Sequence, residues 1–123
     1  MIDISEIKTQ SHDVLVVGAG GAGLSAAIEC SKQGLDTGLI CKSLLGKAHT
    51  VMAEGGMAAA MGNVDNRDHW KIHFRDTMRG GKFLNSWRMA ELHAKNAPDR
   101  VRELEGWGAV FDRTKEGLIN QRN

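Results

Sequence analysis

The stretch Val14-Leu15-Val16-Val17-Gly18-Ala19-Gly20-Gly21-Ala22-Gly23 decides the fold. Its first four residues are apolar at every position, and two faces of a strand can be apolar only where both are covered. Such a run reads as a strand of a parallel sheet. The six residues after it fit G-x-G-x-x-G. Leu24 to Gln33 then supplies good helix formers and Gly34 a stop, after which Thr37-Gly38-Leu39-Ile40-Cys41 reads as a second strand. Strand, glycine loop, helix and strand in that order is the context in which the glycine pattern signifies dinucleotide binding. The predicted fold class is α/β, a Rossmann-like domain built on a parallel sheet.

The pattern assigns a task to each glycine. Gly18 makes the tight turn, Gly20 lets backbone approach a pyrophosphate, and Gly23 lets the helix pack closely on the strand. Gly18, Ala19, Gly20, Gly21, Ala22 and Gly23 are therefore candidate cofactor-binding residues, with the helix N-terminus offering unpaired N–H groups to the phosphates. An acidic residue roughly 20 positions on usually holds the ribose hydroxyls, but the second strand ends in Cys41-Lys42-Ser43. That disfavours an ordinary NAD dehydrogenase. Lys42 either meets a phosphate or stands solvated at the strand end.

Composition narrows the rest. Sixteen basic against 15 acidic residues give a net charge of +1 over 123 residues, so no charge excess points to nucleic acid or an anionic surface. No apolar run approaches the roughly 20 residues of a spanning helix, and the start carries no signal peptide. Cys30 and Cys41 have neither metal-ligand spacing nor disulfide density, which fits a reducing, cytoplasmic location. Of the 15 glycines, a further pair, Gly55-Gly56, closes the stretch Ala48-His49-Thr50-Val51-Met52-Ala53-Glu54-Gly55-Gly56. Paired glycines let backbone approach a flat ligand, beside a histidine with a nucleophilic ring nitrogen. Without further context, a single loop histidine such as His49 is more often solvent-exposed or a satisfied hydrogen-bonding group.

Beyond it, Ala58-Ala59-Ala60-Met61 reads as a tightly buried helix, with Met52, Met57 and Met61 in the core. A helix is predicted from Asp68, with Trp70, Phe74 and Met78 as its buried stripe. His69 and His73 share the spacing of a zinc pair, but Trp70 stands where a glutamate is needed and no third ligand is evident, so no metal is predicted. Gly80-Gly81 ends that helix. Ser86 caps a second one running to Lys95, and Asn96 with Pro98 starts a third that ends at Gly106. Trp107, Val110 and Phe111 read as a buried connection, Asp99, Arg100, Arg102 and Glu103 as a solvated face, and residues 112–123 as polar chain without pattern.

Several of these segments together resemble the flavoprotein subunit of succinate dehydrogenase and fumarate reductase. They are Gly18-Ala19-Gly20-Gly21-Ala22-Gly23-Leu24, Lys42-Ser43, and His49-Thr50-Val51-Met52-Ala53-Glu54-Gly55-Gly56. The likeness continues through His73-Phe74-Arg75-Asp76-Thr77, Gly80-Gly81 and Glu105-Gly106-Trp107-Gly108, and so covers nearly all of the chain from His12 onward. It implies FAD as cofactor, carried covalently through the flavin 8α-methyl by the histidine of the His-Thr pair, here His49. Lys42, Ser43, Thr50, Ala53, Glu54, Gly55 and Gly56 join the cofactor-binding set by the same resemblance. Gly46-Lys47-Ala48 stands where the family commonly has arginine and serine, and Lys47 keeps the positive charge.

The resemblance further implies interconversion of succinate and fumarate, with electrons leaving through an iron–sulfur subunit to quinone. The complex would be held by membrane anchor subunits, leaving this chain peripheral on the inner face of the cell membrane. Neither direct membrane insertion nor nucleic acid is expected. Two strands are too few for a doubly wound sheet, so residues 1–123 are expected to be the N-terminal segment of an FAD-binding domain, incomplete without downstream sequence. The capping domain and the residues that bind the dicarboxylate are then absent, and no catalytic residue falls in this chain. Alone, the segment is expected to bind FAD poorly and to leave strand faces open. Rival readings are an L-aspartate oxidase, a soluble fumarate reductase, or a non-catalytic truncated FAD-binding fragment.

Overall fold

The computed structural model describes residues 7–53 and 55–121. The chain divides into two compact units, Met1–Gly56 and Met57–Asn123.

In the first unit, β1 (Val14–Val17) leads through the glycine loop into α1 (Gly21–Lys32), and β2 (Thr37–Ile40) returns parallel to β1. Val14 stands opposite Thr37 and Val17 opposite Ile40. The helix begins three residues earlier than the helix formers alone indicate, because Gly20 takes an extended backbone and serves as its N-cap. Its end is as predicted, with Gly34 in the left-handed region at φ +77°. At the strand starts, the Asp36 N–H donates to the Asp13 carboxylate at 2.9 Å, and His12 Nδ1 lies 3.2 Å from the Asp36 carboxylate. The His12 ring crosses over Gly38, where a Cβ would stand 2.6 Å from its Cδ2.

Only alternate residues of β1 are covered: Leu15 is 56% and Val17 77% exposed. The both-faces-buried reading of this run is thus met on one face, and the other stays open, as expected of a sheet that lacks neighbours. Ile40, Leu44 and Leu45 are exposed with it.

The second unit is a helix pair, α2 (Trp70–Gly80) and α3 (Trp87–Gly106), packed on each other. Residues 57–62 form no helix, contrary to the reading of Ala58-Ala59-Ala60-Met61. Methyl side chains offer helix propensity but too little apolar area to hold an isolated turn. Met52 and Met57 are exposed rather than core. The helix predicted from Asp68 begins at Trp70, with His69 as its cap: His69 Nδ1 accepts the Lys71 N–H at 3.2 Å. Trp70, Phe74 and Met78 form the half-buried stripe that their spacing predicts. Lys95 Nζ lies 4.6 Å from the Trp70 ring centroid and 2.8 Å from Glu91, so one ammonium serves a cation–π contact and an i,i+4 pair.

Two expected helices are one. The helix from Trp87 runs unbroken to Gly106 with Pro98 inside it, and Ser86 occupies the cap position without a side-chain bond. An internal proline gives up one backbone bond. The stripe Ala90, Ala94, Ala97, Val101, buried and spaced 4, 3, 4, continues on both sides of it and holds the helix together. Asp99 pairs with Arg102 at 2.9 Å and Arg100 with Glu103 at 2.6 Å, all on the solvated face. The connection beyond α3 is not buried: Trp107 is exposed and Val110 is 97% exposed. Residues 112–121 have a pattern after all, a turn closed by an antiparallel bridge between Arg113 and Ile119 with Gly117 at φ +84°.

Between the helices the His73 and His93 rings meet edge to face, centroids 5.3 Å apart. Burial pushes the His73 imidazole below its usual pKa and the charge of His93 adds to this, while Asp68 and Asp76 oppose it. A lowered histidine pKa means that the opened state binds more protons. The stabilisation is complete above about pH 6.5 and is lost as pH falls through that value towards the folded pKa. Hydrogen exchange of α2 and α3 amides, corrected for intrinsic rates, is expected to show easier opening at pH 5.5 than at 7.5. His73→Gln should remove the difference, and an unchanged difference would place its origin elsewhere.

Candidate functional site

Parallel pairing fixes where the chemistry-bearing segments emerge. Because β1 and β2 run the same way in register, the loops that leave them, 18–20 and 41–43, come off the same sheet edge. The Gly18 N–H donates to the Ile40 carbonyl at 2.8 Å and carries the ladder to that edge. Carboxyl ends of parallel strands are where α/β folds hold their ligands.

Gly18 turns the chain at φ +113°, a backbone that side chains rarely adopt. Ala19 is buried beneath the turn. A Cβ on Gly23 would stand 1.9 Å from the Gly18 carbonyl oxygen and 3.4 Å from Val16 Cγ1, so helix and strand approach as closely as backbone permits. At Gly20 a Cβ would meet nothing nearer than Thr50 Oγ1, at 3.6 Å. The loop is thus filled towards the strand and open on the outer side. The first amides of α1, at Gly21, Ala22 and Gly23, have no carbonyl one turn back within the helix and face that opening.

One of these amides is already engaged. The Gly21 N–H donates to Thr50 Oγ1 at 3.0 Å. Thr50 belongs to a 3-10 turn, His49–Met52, closed by Val51 N–H to the Ala48 carbonyl at 3.1 Å. The bond to Gly21 ties Thr50, the chain neighbour of the exposed His49, to the first residue of α1. No sequence signal announces a contact between residues 29 apart. Thr50 enters the candidate set by resemblance alone.

Lys42 and Ser43 are exposed just beyond β2, and the Cys41 thiol donates to the Ser43 carbonyl at 2.7 Å. Ala53, Gly55 and Gly56 follow the 3-10 turn, also exposed, with nothing within 4 Å of a Cβ on either glycine. Glu54 lies outside the described residues. The structure therefore gathers Gly18 to Gly23, His49 and Thr50 directly and brings Lys42 and Ser43 to the same sheet edge. Ala53 joins them only through its N–H, which donates to the Thr50 carbonyl at 3.4 Å. Among the described residues, no group of three histidine, cysteine or carboxylate side chains is placed to hold a metal ion, and no helix is long and apolar enough to cross a membrane.

The features on this edge are those of a dinucleotide-binding flavoprotein domain, and comparison bears this out: residues 13–123 match the family model described as FAD binding domain. The chain belongs to that family. Among its relatives, it is 50% identical to a fumarate reductase (CoM/CoB) subunit of Methanothermobacter marburgensis, over 95% of this chain and 22% of that protein. It is 48% identical to the Rickettsia felis succinate dehydrogenase flavoprotein subunit, over 89% of this chain and 18% of that one. Of solved structures, a chain of the Mycobacterium smegmatis Sdh1 complex in the apo form superposes with a TM-score of 0.86 at 69% identity, over 91% of this chain and 19% of that chain. This chain spans about a fifth of the length of the relatives it matches.

Proposed function

We propose that residues 1–123 are a segment of the FAD-binding domain of an oxidoreductase that interconverts succinate and fumarate, with FAD attached covalently to His49. The observation that carries this reading is the 3.0 Å bond from Gly21 to Thr50, which sets the His49 turn against the phosphate-binding end of α1. The names of the succinate dehydrogenase and fumarate reductase relatives support the dicarboxylate chemistry.

The residues present fit FAD. The amides of Ala22 and Gly23 and the open side of Gly20 suit a pyrophosphate, and Lys42 stands at the same edge with a compensating charge. Ser43 and Ala53 would line the approach, and Gly55 and Gly56 offer backbone without side chains to a flat ring. The flavin, when bound, supplies the two-electron chemistry. This chain binds and orients it, while the dicarboxylate-binding groups and the cap belong to the remainder of a longer protein. Electrons leave through an iron–sulfur subunit to quinone in a complex held by membrane anchor subunits, with this chain peripheral on its cytoplasmic face.

The test is substrate-dependent reduction of an artificial dye by the full-length protein. Succinate is expected to support reduction and L-aspartate is not, with fumarate accepting electrons from reduced dye in the reverse direction. Turnover of L-aspartate, or of no dicarboxylate, would overturn the assignment.

A further inference from the structure

We propose that Thr50 is the positioning residue for flavin attachment: its hydroxyl pins the turn that carries His49 to the first amide of α1. The inference rests on His49 as the attachment residue and adds the device that holds it in place. Thr50 Oγ1 accepts the Gly21 N–H at 3.0 Å, and Thr50 is fixed in its turn by the bond from the Ala53 N–H to its own carbonyl at 3.4 Å. The glycine loop is shaped around it. A Cβ on Gly21 would stand 3.2 Å from Thr50 Cγ2, tight enough to push the turn away, and one on Gly20 would stand 3.6 Å from Oγ1. Gly20 and Gly21 thus admit the threonine as well as a ligand. A neutral hydroxyl withdraws one helix amide from the pyrophosphate and leaves those of Ala22 and Gly23.

Attachment joins an imidazole nitrogen to the methyl carbon. The imidazole N–H and one methyl C–H each release a proton, and the electron pair of the broken C–H bond passes to the ring system, from which dioxygen or a dicarboxylate acceptor removes it. The reaction needs the nucleophile at near-contact distance, and a displacement of about 1 Å can cost up to a hundredfold in rate. Thr50 sets that distance before the flavin arrives.

The experiment adds FAD to full-length apoprotein and follows two quantities with time: flavin fluorescence retained on a denaturing gel, and flavin released by denaturation. Thr50→Val keeps the shape and loses the acceptor. It is expected to slow covalent attachment about tenfold or more, read as the attached share of whatever flavin is bound at each time. Thr50→Ser keeps the hydroxyl and is expected to restore the rate. Attachment by Thr50→Val at the wild-type rate would overturn the proposal. So would equal losses in the valine and serine variants, or loss of all flavin, bound and attached, in Thr50→Val. His49→Ala runs beside them, and covalent flavin in that variant would defeat the His49 assignment itself, whatever Thr50 does.

Discussion

Gly23→Ala is expected to strip FAD from the full-length protein and to destabilise it by about 1–3 kcal/mol, the range for forcing an extra group into a packed site. The added methyl would stand 1.9 Å from the Gly18 carbonyl oxygen, and both are backbone-anchored, so no side chain can turn aside to make room. Helix α1 must lift from β1 and carry its amides away from the loop. Gly20→Ala provides the contrast. There a Cβ meets only Thr50 Oγ1, at ordinary contact distance, so the unliganded protein should unfold at the wild-type temperature and yet bind FAD weakly. Thermal unfolding of apoprotein and FAD titration separate the two. Equal behaviour of the variants in both measurements would mean that Gly20 and Gly23 do not divide the roles of ligand approach and helix packing.

That division is legible in the sequence because a local pattern dictates it. Strand, loop, helix and strand are neighbours in the chain, and each glycine's task follows from its place in the turn. Legibility fails wherever tertiary packing overrides local preference. Pro98 reads as a helix start, yet α3 passes through it, because four small buried residues from Ala90 to Val101 hold both halves. Three alanines and a valine at 4, 3, 4 spacing do not stand out as an apolar stripe, so that core escapes a reading by pattern, while the larger Trp70, Phe74 and Met78 do not. Conversely, Ala58 to Met61 has helix formers, but Ala59, Ala60 and Met61 are half-buried without forming a helix, since methyl groups bury too little apolar area to hold an isolated turn. Trp107 and Val110 are apolar but exposed, as their composition alone does not reveal.

The site divides the same way. Its glycine half is a sequence pattern, whereas its histidine half is proposed as a site from resemblance and is joined to the glycine loop by one bond between distant residues, Gly21 to Thr50. His69 and His73, which share a metal-like spacing, have structural partners instead: the Lys71 amide for one and the His93 ring for the other.

His49→Ala is expected to abolish covalent flavin completely, because no other side chain stands in its place on the turn that Thr50 anchors. The glycine loop and the amides of Ala22 and Gly23 are untouched by the substitution. The variant should therefore still take up FAD, and release all of it on denaturation. The wild-type band on a denaturing gel is expected to fluoresce, and that of the variant to be dark. A dark wild-type band would favour a non-covalent flavoprotein such as an L-aspartate oxidase or a soluble fumarate reductase.

The position of the bond is read most directly from peptide masses. Trypsin cuts after Lys47 and Arg67, so His49 lies in the peptide from Ala48 to Arg67. In the flavin-loaded full-length protein this peptide is expected to carry the mass of one FAD less two hydrogen atoms, with fragmentation placing the addition on His49. An unmodified peptide from a flavin-loaded protein, or the same added mass on a different residue, would contradict the account.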